Sequence, residues 1–142
     1  MKDSVEILLV EDNPGDVLLT QTAFKRSHIV NNLTCVETAE EAIQLLRNEG
    51  DYAQSKRPDL VLLDLNLPRM SGIEFLQIVK HDATLKAIPV VVLTSSDAEA
   101  DIQSSYEQYA NSFITKPVSL ASFVDVLDCL EGFWFEIVRL PA

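Results

Sequence analysis

Short apolar runs recur along the chain and predict β-strands. They are Val5 to Val10, Leu33 to Val36, Leu60 to Leu63, Val90 to Leu93 and Ser112 to Ile114. The run at 60–63 is apolar at every position and lies between Pro58 and Pro68, which is typical of a parallel strand buried on both faces. We therefore expect this strand at the centre of a sheet.

Helix signals separate these runs. The residues that open the predicted helices are Asn13-Pro14, Thr38 with Glu41, Ser71 with Glu74, Ser96 with Glu99, and Ser119. In the first helix, which runs to about Ser27, the predicted packing face is Val17, Leu18, Gln21 and Phe24. Asn31-Asn32 predicts a turn, and Gly50 suits the end of the second helix. Strands and helices that alternate in this way predict an α/β fold with a parallel sheet and helices on both faces.

Composition narrows the class of protein. A chain of 142 residues suits one domain, and a formal net charge of -11 argues against binding to nucleic acid or an anionic membrane, so protein partners are favoured. No apolar run is long enough to span a bilayer and the N-terminus does not resemble a signal peptide, so we expect a cytoplasmic protein. Cys35 and Cys129 are expected to be free thiols, and His28 and His81 to lie at the ends of surface helices.

Residues suited to phosphoryl and metal chemistry follow four of the predicted strands. They are Glu11-Asp12, Asp64, Thr94-Ser95 and Thr115-Lys116-Pro117. Parallel strands end at one edge, so Glu11, Asp12 and Asp64 should converge if their strands are neighbours, although Asp64 alone would fit a turn or a helix cap equally well. Grouped carboxylates need a cation, and oxygen ligands of this kind suit Mg²⁺. Lys116 and the Thr94 hydroxyl would then contact the oxygens of a transferred phosphoryl group.

Four segments, LLVEDNP, LLDLNLPRMSG, VVVLTSS and FITKP, resemble the receiver domain of two-component response regulators. The resemblance covers about Ile7 to Leu130. It implies a flavodoxin-like, doubly wound (βα)5 fold with strand order 2-1-3-4-5, in a single domain over 1–142 with a core at about 5–130. It also implies a signalling protein that accepts a phosphoryl group, not an enzyme that acts on a separate substrate.

The resemblance further implies roles for individual residues. Asp64 would accept a phosphoryl group from a histidine kinase. Mg²⁺ would be held by Asp12, Asp64 and the backbone carbonyl of Asn66, with Glu11 acting through a water molecule. The family's switch and phosphate-pairing positions fall on Thr94, Lys116 and Phe113, and its cis peptide bond falls on Pro117. Phe113 lacks a hydroxyl group, so packing would govern its movement, and it also fits an ordinary strand residue.

Three other functions are compatible with this fold class. An aspartate-nucleophile phosphatase is expected to carry a second Asp two residues after the nucleophile, where this chain has Asn66. A flavin-binding protein would need a phosphate-binding loop after the first strand, where Glu11-Asp12 would repel the flavin phosphate. An adaptor that is never phosphorylated would be marked by a lost carboxylate or lysine, and none of these residues is missing.

Large apolar residues continue beyond the end of a typical receiver, in a C-terminal extension at 131–142. They could fold back on the domain or form an interface with a second copy of the chain. This extension, the loop NEGDYAQSKRPD and the polar helix at Asp97 resemble small stand-alone regulators that partner phytochrome-type histidine kinases, which implies a homodimer. The expected dimer or partner surface is Phe123, Leu127, Leu130, Phe133, Trp134 and Ile137. A phosphotransfer protein or another regulator would receive the signal downstream.

Overall fold

A computed structural model describes residues 5–27, 30–65, 67–94, 112–115 and 119–129. Its strands are β1 Val5–Val10, β2 Asn31–Val36, β3 Leu60–Leu63, β4 Val90–Thr94 and β5 Ser112–Thr115. Its helices are α1 Pro14–Arg26, α2 Ala39–Leu46, α3 Gly72–Lys80 and α4 Leu120–Cys129, with a short 3-10 helix at Gly50–Tyr52. The helix predicted from Ser96 to about Tyr109 lies outside the described residues.

The described strands form one sheet in the order β2-β1-β3-β4-β5, and every neighbouring pair is parallel. All four residues of β3 are buried, as expected for the central strand. The predicted flavodoxin-like fold and its strand order are therefore confirmed. The chain leaves β1 in one direction along the sheet and returns to β3 on its other side, and ligands bind at such a switch point in open α/β sheets.

Successive strand residues point to opposite faces of the sheet, and each face carries its own apolar layer. Leu8 and Val10 of β1 pack on the face that α2 and α3 cover, whereas Ile7 and Leu9 pack on the face that α1 and α4 cover. The core thus supports the sheet from both sides. No helix in the described ranges has the length and apolar character needed to cross a bilayer.

Two local predictions were wrong. Asn31 and Asn32 belong to β2, because they pair with Val5 and Glu6 of β1 and the Asn32 side chain donates to the Glu6 carboxylate at 3.0 Å. Leu18 is not on the packing face of α1, since its side chain is 64% exposed while Ala23 and Phe24 are buried. A step of about 100° per residue turns Leu18 away from the face that Phe24 occupies.

Two minor predictions are confirmed where the structure describes them. His81 is exposed at the C-terminal cap of α3, and Cys35 is a half-buried free cysteine on β2. Burial raises the pKa of the Cys35 thiol, which keeps it protonated near neutral pH. His28 lies outside the described residues.

The end of α2 is set by Asn48 and not by Gly50, which corrects the prediction from sequence. Asn48 has φ of 54°, the Asn48 N–H donates to Leu45 O at 3.1 Å, and the Glu49 N–H donates to Gln44 O at 2.9 Å. This pair of backbone hydrogen bonds is a Schellman motif. The Asn48 amide also donates to Tyr52 O at 3.2 Å and Ser55 O at 2.7 Å, so one residue ends the helix and shapes the following loop.

We expect Asn48→Ala to lower the free energy of unfolding by about 1–2 kcal/mol, because alanine keeps a Cβ atom in the left-handed region but lacks the side-chain amide whose hydrogen bonds hold Asn48 there. Asn48→Gly keeps the backbone conformation and loses only the amide hydrogen bonds, so its loss should be smaller. Urea unfolding of both variants measures the difference. Equal losses would show that the amide contacts, and not the backbone conformation, account for the effect of Asn48.

Candidate functional site

Three carboxylates converge at the carboxyl edge of the sheet. Single oxygen atoms of Glu11, Asp12 and Asp64 all lie within 4.8 Å of one another. Glu11 and Asp64 are buried, at 2% and 5% exposure, while Asp12 is exposed. The predicted convergence is confirmed, and the group faces solvent through Asp12.

The strand register brings these residues together. Val10 is paired with Leu63, so Glu11 and Asp64 follow paired residues on neighbouring strands. The Asp64 N–H donates to Val10 O at 3.1 Å, and the Glu11 N–H donates to Val36 O at 3.0 Å. Neighbouring strands lie about 4.8 Å apart, so this register places Glu11 and Asp64 side by side at the edge of the sheet.

The start of α1 fixes the orientation of Glu11. The Asn13 N–H donates to Glu11 Oε1 at 3.1 Å, and the Asn13 side chain caps the helix by accepting from the Asp16 N–H at 3.0 Å. Asn13 therefore links the helix cap to the carboxylate cluster. The positive end of the helix dipole also lies beside the cluster and lowers its electrostatic cost.

Three carboxylates at this spacing repel one another strongly unless a cation or protons neutralise them. Their oxygen atoms form a donor set suited to a hard divalent cation that retains some of its water. The exposed Asp12 leaves one side of the group open to solvent and thus to an incoming ion. The residues present therefore fit a divalent metal.

The other predicted site residues fall on β4, on β5 or outside the described residues. Thr94 is the last residue of β4 and pairs with Thr115, the last residue of β5, while Phe113 pairs with Val92. Thr94 and Thr115 thus reach the edge of the sheet that carries the carboxylates, whereas Phe113 lies two residues before it. The roles of the Thr94 and Phe113 side chains stay predictions. Asn66, Lys116 and Pro117 lie outside the described residues.

Gly72, the first residue of α3, is a feature of the site that the sequence analysis did not single out. Its N–H donates to Leu65 O at 3.1 Å, and a Cβ atom built on it would lie 2.7 Å from Asp64 O and 2.7 Å from Leu65 Cα. The start of α3 thus rests directly on the backbone of Asp64 and Leu65. The available signal was a glycine directly after the predicted N-cap Ser71, because glycine is the residue that allows close approach of one backbone to another.

Part of the predicted partner surface needs correction. Phe123 and Leu127 of α4 are 3% and 1% exposed, and they pack in the apolar layer that also contains Phe24 of α1. They belong to the core of the chain and are not available to a partner. The remaining members of that surface, Leu130, Phe133, Trp134 and Ile137, lie outside the described residues.

A family model for the response regulator receiver domain matches residues 7–128 of the chain. The chain belongs to this family. This receiver is therefore a two-component response regulator, as the four sequence segments predicted. The matched range contains all the strands but the first two residues of β1, together with the whole carboxylate cluster.

Similar proteins span nearly the whole receiver. The chain is 43% identical over 136 residues to response regulator Rcp1 of Synechocystis sp.. These residues make up 96% of this chain and 92% of that protein. The crystal structure of the Mn²⁺-bound form of Rcp1 superposes with a TM-score of 0.85 at 43% identity, over 97% of this chain and 99% of the other. The crystal structure of the phosphorylated cyanobacterial phytochrome response regulator RcpA superposes with a TM-score of 0.87 at 44% identity, over 98% of this chain and 99% of the other.

Proposed function

We propose that the receiver accepts a phosphoryl group on Asp64 with the help of Mg²⁺. The observation that carries this proposal is the cluster of Glu11, Asp12 and Asp64, with oxygen atoms within 4.8 Å at the switch point of the sheet. A Mn²⁺-bound form and a phosphorylated form among the similar structures support it. Asp64 is the member of the cluster that follows the central strand β3.

In the proposed reaction, a carboxylate oxygen of Asp64 forms a bond to phosphorus while the bond from phosphorus to a nitrogen of the donor histidine breaks. The imidazole leaves with the electron pair of that bond, and the product is an acyl phosphate on Asp64. Asp12, Asp64 and the backbone carbonyl of Asn66 would hold the metal, with Glu11 acting through water. When bound, Mg²⁺ supplies positive charge that offsets the charge of the carboxylates and of the phosphoryl oxygens.

The remaining residues of the site would convert phosphorylation into a change of surface. Lys116 would pair with the phosphoryl oxygens, the Thr94 hydroxyl would hydrogen-bond one of them, and Phe113 would repack in response. Phosphorylation would shift the population between two conformations and so change the affinity for a protein partner. The positions of Thr94 and Phe113 on the two strands beyond β3 support this assignment.

A phytochrome-type histidine kinase is the donor that we propose, because RcpA is a phytochrome response regulator with 44% identity to this chain. We also propose that residues 1–142 form one receiver domain. Two copies of it would form a homodimer through the extension at 131–142. The apolar residues Leu130, Phe133, Trp134 and Ile137 support it by their sequence alone. Light scattering tests the dimer by measuring the molar mass of the native protein and of Trp134→Lys. A molar mass of a single chain for the native protein would contradict the dimer.

The intact mass of the protein, measured after incubation with Mg²⁺ and acetyl phosphate, tests the proposed phosphorylation. We expect the mass to rise by one phosphoryl group, and EDTA to prevent the rise. If acetyl phosphate does not phosphorylate the receiver, a phosphorylated phytochrome-type kinase is used as the donor instead. Failure with both donors would overturn the proposed function in favour of an adaptor that is never phosphorylated.

Divalent metal is expected to stabilise the folded receiver. At a concentration of Mg²⁺ ten times the dissociation constant, the gain in the free energy of unfolding is about 1.4 kcal/mol, because the ion binds the folded state alone. Asp12→Asn should greatly reduce this gain, whereas Glu49→Gln, which removes an exposed charge in the α2 to β3 loop, should keep it. Thermal unfolding with and without Mg²⁺ provides the measurement. An undiminished gain in Asp12→Asn would place the ion elsewhere.

A further inference from the structure

The start of α3 lies so close to Asp64 and Leu65 that a side chain at position 72 would not fit between them. A Cβ atom on Gly72 would lie 2.7 Å from both Asp64 O and Leu65 Cα, and 3.0 Å from Leu65 Cδ2. The two shortest of these contacts are with backbone atoms, which cannot move aside as a flexible side chain can. Gly72 is the first helical residue of α3, so the need for glycine here comes from space alone.

The elements on either side of this contact are held firmly. Phe75, Leu76 and Val79 anchor α3 with no exposed surface, and Lys80 at its other end donates to Lys86 O at 3.1 Å. On the other side, β3 is paired with β1 and with β4. Neither the helix nor the strand can retreat easily from a larger residue at position 72.

The segment at Asp64 and Leu65, just beyond the end of β3, is the part that would have to move. Opening a contact from 2.7 Å to the 3.4 Å of ordinary van der Waals contact requires a shift of about 0.7 Å. Glu11 is held separately by the Asn13 N–H, so the shift would change the position of Asp64 relative to the other carboxylates. Misplacement on this scale weakens both metal coordination and in-line attack.

We propose that Gly72 is a positioning residue for the Asp64 carboxylate, setting its place relative to Glu11 and Asp12. This inference rests on the proposed function for its effect on phosphorylation, but its effect on metal binding stands without it. Gly72 does not touch the reacting atoms itself. It acts by letting the first turn of α3 rest on the backbone that carries Asp64.

The test compares Gly72→Ala with Val79→Ala, a variant that also weakens the packing of α3 but lies at the opposite end of the helix. Two quantities are measured for each: the dissociation constant for Mn²⁺ by calorimetric titration, and the rate of phosphorylation by acetyl phosphate at saturating Mg²⁺. We expect Gly72→Ala to weaken Mn²⁺ binding and to slow phosphorylation by about ten- to a hundredfold, even at saturating metal and donor. Val79→Ala should bind Mn²⁺ as the native chain does.

Gly15→Ala is a second control, since Gly15 lies in the first turn of α1 beside the same cluster. Among the described residues, a Cβ atom there would meet the Asn13 side-chain oxygen alone, at 3.2 Å, and a side chain can adjust. We expect a change of less than about threefold in either quantity. Native-like values in Gly72→Ala, or equal losses in Gly72→Ala and Val79→Ala, would overturn the proposal.

Two helix-cap variants decide the question if Gly72→Ala does not fold. Ser71 Oγ accepts from the Glu74 N–H at 3.2 Å, so Ser71→Ala should loosen the turn that contains Gly72 and weaken Mn²⁺ binding by roughly two- to fivefold. Thr38 caps α2 in the same way, beside the edge strand β2, and Thr38→Ala should leave binding unchanged. Equal Mn²⁺ affinity in these two variants would overturn the proposal. A native chain that binds Mn²⁺ but takes up no phosphoryl group would instead contradict the proposed function alone.

Discussion

Replacing Asp64 by Asn is expected to abolish the gain of phosphoryl mass, with acetyl phosphate and with a kinase alike. The amide nitrogen and oxygen of Asn do not attack phosphorus as a carboxylate does, and the two carboxylates that remain, Glu11 and Asp12, serve the metal in the proposed site. The metal-free variant should also unfold at a higher urea concentration. Removing one of three carboxylates whose oxygens lie within 4.8 Å of one another relieves repulsion of about 1–2 kcal/mol.

Asp51→Asn provides the matched control for this prediction. Asp51 is exposed in the 3-10 helix, so the substitution changes the net charge equally without touching the site. It should be phosphorylated at the native rate and change stability by no more than about 0.5 kcal/mol. Phosphoryl mass gained by Asp64→Asn would assign the acceptor to another residue. A variant that is inactive and less stable would mean that Asp64 has a structural role.

Phe75→Ala is expected to have the largest effect on stability, lowering the free energy of unfolding by about 3–5 kcal/mol. The Phe75 side chain has no exposed surface and lies in the apolar layer between α3 and the sheet. Its removal leaves a cavity that the surrounding β3 and β4 residues cannot fill without breaking their register. Urea unfolding, followed by far-ultraviolet circular dichroism, measures the loss.

Gln77→Ala on the same helix is the control, because Gln77 is exposed and alanine favours helix at least as well as glutamine. Its effect should stay within about 0.5 kcal/mol of zero. A loss below about 1 kcal/mol in Phe75→Ala would show that the layer repacks around the cavity, against the close packing expected of such an interior.

The pattern of strand ends carried most of the information about the site. Glu11-Asp12 and Asp64 could be assigned to one edge because short, continuous apolar runs are typical of buried parallel strands. The residues that follow parallel strands all lie at the carboxyl edge of the sheet. The caps at Asn13, Thr38 and Ser71 were also predictable, since each is a local hydrogen bond between residues three apart. Short-range physics suffices for such features.

Helix faces were less predictable from the periodicity of apolar residues. Leu18 fits a helical stripe in the sequence yet is 64% exposed, whereas Phe123 and Leu127, expected on a partner surface, lie in the core beside α1. Periodicity shows that a helix has an apolar side. It does not show which neighbouring element covers that side, or how the helix is rotated about its axis.

The sequence by itself determined the fold class, the family and the identity of the three clustered carboxylates, because each depends on residue type and on spacing within one segment. The tertiary structure decided how those segments meet. Only the pairing of Val10 with Leu63 places Glu11 beside Asp64, and only the approach of α3 to Asp64 and Leu65 gives Gly72 its requirement for glycine. Both contacts join residues on different elements, whose separation is set by packing across the sheet and not by the local chain.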